Sequence, residues 1–144
     1  MAMAGAILTH CLLPSARASR IEHRTNTLVL ASDSFTVVLD EQNGSILSVH
    51  TNGGANSILR SGEYGLWNLS LLEGGSLSAV AFSAGSVAQS FAWSLDSATN
   101  ALRMAYTNLD LSVTVTATVH AAWIEFVARV QPRTQTVLDF GLPA

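Results

Sequence analysis

The chain has 144 residues, room for one domain, and its formal net charge of −3 supplies no basic field for nucleic acid. Hydrophobic residues make up 49% and charged residues 12%, yet no apolar run reaches the roughly 18 residues that a membrane span requires. Cys11 is the only cysteine, which excludes an intramolecular disulfide and a thiolate metal centre.

In chain order, Ala4 to Leu13 forms a short apolar run, followed by Pro14 and then by small residues around Arg17. This resembles the hydrophobic region and small-x-small cleavage site of a secretory signal peptide cut after Ala18, although Met1 to Ala4 carries no positive charge. Residues 1–25 are expected to be a leader and residues 26–144 a β domain, truncated at its C-terminal end and secreted or periplasmic.

From Thr27 onward the apolar period is two. Phe35, Val37 and Leu39 alternate with Ser34, Thr36 and Val38, and Asp40 to Gly44 supplies a turn whose Asn-Gly pair tolerates positive φ. Ser45 to Thr51 returns as the second arm of a hairpin. Residues 52–56 read as a loop, Leu66 to Leu72 as a strand with Trp67, Leu69 and Leu71 on one face, and residues 73–76 as a turn. Leu77 to Ser83 follows, then Val87 to Leu95 with Phe91, Trp93 and Leu95 in phase, then a turn at Asp96 to Asn100. Leu102, Met104 and Tyr106 alternate again. The clearest strand is Leu109 to Val119, apolar on one face and Asp, Ser or Thr on the other. After His120, Ile124, Phe126, Ala128 and Val130 resume the alternation until Pro132, and Val137 to Phe140 starts a further strand. Some eight to ten strands at this spacing predict an all-β, antiparallel sandwich with no helix.

Glycosidic cleavage generally uses two carboxylates about 5–10 Å apart. The acids of the β part are Asp33, Asp40, Glu41, Glu63, Glu73, Asp96, Asp110, Glu125 and Asp139, and no pair stands out. Glu63 precedes Tyr64 in an aromatic setting that suits a sugar site. His50 and His120 fall at strand ends, where a His beside a Glu would suit acid–base epimerisation of a sugar. No histidine has a ligand-spaced partner for zinc, and no nucleophile elbow or phosphate loop occurs. No metal or cofactor is expected. Trp67 and Trp93 are in phase with core residues. Trp123 is out of phase with Ile124 and Phe126, which makes it the expected exposed aromatic. Glu63, Tyr64 and Trp123 are the candidate sugar-binding residues; no catalytic residue is identified.

Residues 37–49 (VVLDEQNGSILSV) resemble the opening hairpin of galactose-mutarotase-like sandwiches, which precede the catalytic barrel in several glycoside hydrolase families. Residues 65–71 (GLWNLSL) resemble the Leu-Trp strand of the same domains. The strands at 91–93, 109–119 and 124–128 and the closing LDFGLP at 138–143 continue the likeness. The likeness is to large bacterial hydrolases resembling endo-α-N-acetylgalactosaminidase. The resemblance covers residues 27–143 and implies the first half of a supersandwich. It further implies an accessory N-terminal unit of a secreted glycoside hydrolase, partnered in cis by a C-terminal catalytic barrel and, through it, by carbohydrate. The nucleophile and acid of that family lie on the barrel, so no catalytic residue carries over. The alternatives are a stand-alone carbohydrate-binding module, a mutarotase-like epimerase fragment and a structural or adhesive β domain.

Overall fold

A computed structural model describes residues 19–52, 57–59, 65–72, 79–83, 90–108, 111–132 and 136–141; in 57–59, 68–72, 79–83 and 136–141 it describes the backbone alone. All regular structure among them is β. The strands are β1 (Arg20–Arg24), β2 (Thr27–Ala31), β3 (Phe35–Asp40), β4 (Ile46–Thr51), β5 (Ser57–Leu59), β6 (Asn68–Leu72), β7 (Ala79–Ser83), β8 (Ser90–Asp96), β9 (Ala101–Thr107), β10 (Leu111–Val119), β11 (Ile124–Pro132) and β12 (Thr136–Gly141). They form a five-stranded sheet ordered β1-β2-β3-β4-β5, a four-stranded sheet ordered β11-β10-β9-β8 and a three-stranded sheet ordered β12-β6-β7. Every pairing is antiparallel. No helix among the described residues is long and apolar enough to cross a membrane.

The alternation in the sequence sets which face each sheet buries. In β10, Leu111, Val113, Val115 and Ala117 are fully buried, while Ser112, Thr114, Thr116 and Thr118 are only half-buried on the opposite face. The registers bring Tyr106, Met104 and Leu102 of β9 beside Val113, Val115 and Ala117, so the buried rows line up across the sheet. On the five-stranded sheet, Leu28 faces Leu39 and Leu30 faces Val37. These residues, Ile46 and the buried rows of β9 and β10 form one core between the two larger sheets, a sandwich arrangement. Each fully buried Leu, Val or Met there contributes about 1.5–3 kcal/mol by leaving water.

Turn chemistry closes the strands where the sequence predicts. Gly44 takes φ 71° in the β3–β4 turn. The Asp40 carboxylate accepts from the Gln42 N–H at 2.7 Å, and the Asn43 side chain accepts from the Ser45 N–H at 2.8 Å. Val38 opposes Ser48 and Leu39 opposes Ile46, so Leu47 is a bulged residue. In the β8–β9 turn Asp96 accepts from Thr99 Oγ1 at 2.7 Å and from the Ala98 N–H at 3.0 Å, which hold its carboxyl below its ordinary range.

Three features differ from the expectation. Residues 20–24, assigned above to the leader, form β1 and pair with β2 along its whole length. Their alternation is hidden by charge: Glu22, held between Arg20 and Arg24, shares a strand with Ile21, which packs on the core. Residues 57–59 form a short strand, β5, beside β4. Leu66 and Trp67 are both buried, at 2% and 1% exposure, so the strand begins after them at Asn68 and the period of two does not reach back through Trp67.

Candidate functional site

The site is built from the turn between β10 and β11. His120 donates its N–H to the Trp123 carbonyl at 2.9 Å, leaving Ala121 and Ala122 as a two-residue loop. Two neighbouring turns bond directly to this connection, and Asn52 braces one of them in turn. The Asp33 N–H donates to the Ala121 carbonyl at 2.6 Å, from the turn between β2 and β3. That turn is closed on Ser32, 1% exposed, whose Oγ accepts from the Phe35 N–H at 3.0 Å. Asn52 donates from Nδ2 to the Ser32 carbonyl at 2.5 Å and accepts from Thr36 Oγ1 at 2.8 Å. From the β8–β9 turn, Asn100 exchanges bonds with Val119 by side chain at 3.0 Å and by backbone at 3.2 Å.

Trp123 stands on this base with 56% of its surface exposed. The His120 ring stacks against it at 4.5 Å between centroids and 23° between planes. His120 Nε2 lies 3.6 Å from Glu125 Oε2. The solvent screens that pair, so its value lies in orienting two polar groups beside an aromatic face rather than in stability. Along the same outward face of the sheet, Thr118 lies opposite Glu125, Thr116 opposite Val127 and Thr114 opposite Arg129. Trp123 therefore sits at one end of a face that carries three threonines, with a carboxylate and an imidazole beside it. Such a set suits a sugar: the indole covers C–H groups, and the polar groups exchange hydrogen bonds with ring hydroxyls.

A second aromatic–imidazole–carboxylate group lies where the edge strands β1 and β8 meet. His23 Nε2 is 2.9 Å from Glu41 Oε1, and the His23 ring packs on Trp93 at 5.0 Å. Trp93 is half-buried and belongs to the core border, as its phase predicts. Trp67 is buried and meets Tyr106 edge-on at 5.3 Å.

Trp123 is exposed where the sequence places an exposed aromatic, whereas Glu63 and Tyr64 lie outside the described residues. His50 bonds Ser48 on its own strand at 2.9 Å. Sequence reading identifies His120 as a strand-end histidine but does not join it to Glu125. The signal was present: a two-residue loop puts positions 120 and 123 opposite each other, and position 125 then follows on the same face. Among the described residues no three His, Cys, Asp or Glu side chains gather as a metal site. Comparison with family models, with curated proteins and with solved structures finds no match to this chain.

Proposed function

We propose that the chain is a non-catalytic, carbohydrate-facing β-sandwich, the accessory unit of a secreted glycoside hydrolase whose catalytic barrel lies outside this chain. Its fold is then of the galactose-mutarotase-like type. The observation that carries the reading is Trp123: a large aromatic, 56% exposed, set on a turn that two other turns brace. A braced turn spends little entropy on binding, which favours recognition of a weakly gripping ligand such as a sugar. Three of the described turn carboxylates are engaged locally: Asp40 and Asp96 cap turns and Glu41 pairs with His23. That supports a binding role over hydrolysis within this chain.

The test is titration of the chain with a panel of neutral and N-acetylated oligosaccharides, followed by calorimetry and tryptophan fluorescence. At least one glycan is expected to bind, and Trp123→Ala is expected to weaken it at least about tenfold, equivalent to about 1.4 kcal/mol. A panel with no binder, or binding indifferent to Trp123→Ala, refutes the assignment of this site.

A further inference from the structure

The strand β11 closes one side of the four-stranded sheet, with β10 as its only hydrogen-bonded neighbour among the described residues. Its backbone alternation follows from two turn bonds. The His120 N–H bonds Trp123, across to β11, whereas the Val119 N–H points the other way, to Asn100. In register, the N–H and C=O groups of Glu125, Val127 and Arg129 then point to β10, and those of Ile124, Phe126, Ala128 and Val130 point to the open edge. The side chains divide by the same parity. Glu125, Val127 and Arg129 are exposed, with Val127 at 47%, while Ile124, Phe126, Ala128 and Val130 pack partly against the core.

This edge is self-complementary. An antiparallel pairing of two β11 strands about a two-fold axis at Val127 sets Glu125 opposite Arg129 of the second copy, twice over. Val127 meets its own counterpart between the two ion pairs. All three pairs fall at the positions without cross-strand hydrogen bonds, where side chains approach most closely. On the core side, Phe126 comes opposite Ala128 of the second copy, and Ile124 opposite Val130 of the second copy, so apolar meets apolar. A slide by two residues places Glu125 opposite Val127 or Gln131 and loses both ion pairs. A slip by one residue turns the charged face onto the core side. Pro132, which has no N–H to give, ends the edge.

We propose that β11 is the interface through which two copies of this chain pair, joining their four-stranded sheets into one continuous sheet. The pairing is isologous, so it uses up this edge on both copies and closes on itself. A long edge strand with an exposed Val127 is otherwise a template for open-ended association.

The experiment is light scattering on the full chain after size exclusion, over a micromolar dilution series, with circular dichroism to verify the fold of each variant. A reversible species of twice 15.2 kDa is expected. Arg129→Glu opposes two carboxylates at both ends of the interface and is expected to weaken the dimer at least about tenfold. The exchange Glu125→Arg with Arg129→Glu restores both ion pairs in reversed order and is expected to restore the dimer. A monomer throughout the series overturns the proposal. So does a dimer indifferent to Arg129→Glu, or one weakened by it that the exchange fails to restore.

Discussion

Gly44→Ala is expected to be among the most costly single-methyl additions in the described part of the chain. Gly44 is buried in the β3–β4 turn at φ 71°, a conformation that costs an L-residue about 1–2 kcal/mol. A methyl group there meets the Tyr106 hydroxyl first, and then the Phe91 ring, whose nearest atoms stand at 3.0 and 3.1 Å. Phe91 and Tyr106 pack on each other at 4.9 Å, so neither ring retreats without disturbing the other. Overpacking of this kind adds about 1–3 kcal/mol, for a total of roughly 2–5 kcal/mol. With a urea slope of about 1–3 kcal/mol per molar, the unfolding midpoint falls by on the order of 1–2 M. The steric part is separable from the backbone part by a double-mutant cycle. Tyr106→Phe deletes the nearest atom and sacrifices only a weak bond to Met104 Sδ at 3.9 Å. In the Gly44→Ala background it is expected to recover about 1 kcal/mol or more. A loss below about 1 kcal/mol for Gly44→Ala, or a cycle additive within about 0.5 kcal/mol, refutes this account of the turn.

Asn100 takes φ 50° and donates to the Val119 carbonyl, so Asn100→Ala loses a bond and keeps a disfavoured conformation; about 1–3 kcal/mol is expected from chemical denaturation. Asn100→Gly loses the bond alone and is expected to cost less than the alanine variant; the reverse order contradicts the assignment of φ as a cost. Burial raises the Tyr106 phenol above its ordinary 10.0, so the core holds only its neutral form. Its contribution to stability is fully present below the ordinary phenol range and is lost as the pH rises above it. The thermal midpoint of the native chain is therefore expected to fall more steeply above pH 10 than that of Tyr106→Phe, and equal slopes contradict it. Trp123→Ala, which removes an exposed side chain, is expected to change unfolding stability by no more than about 0.5 kcal/mol.

The parts of the fold that the sequence makes legible are those where one face is buried and the other wet. β10 is the clearest case, because every second residue is buried and every intervening one is Ser or Thr. The β3–β4 hairpin is legible for a different reason: Asp40, Asn43 and Gly44 each perform a distinct turn function. β1 is hidden because its outward face is Arg20, Glu22 and Arg24, which read as a charged lead-in rather than as a solvated strand. β5 is too short for a period to show. At the candidate site, Trp123 is visible from phase alone. The contact of His120 with Glu125 follows once the loop is fixed at two residues, which sets 120 opposite 123 and leaves 125 on the same face; apolar phase alone does not fix that loop length.

The order of strands also has a consequence for how the chain folds. In both larger sheets the spatial order is the sequence order, so every pairing joins neighbours along the chain through a short connection. Such meanders close small loops and nucleate quickly for β proteins. The three-stranded sheet is different, because β12 reaches back to β6 over the whole of the four-stranded sheet. Its closure bears the entropy of that long excursion until β8 to β11 have collapsed it. The β6–β12 pairing is thus expected to form last, and hydrogen exchange to reach its amides while those of β9 and β10 remain protected.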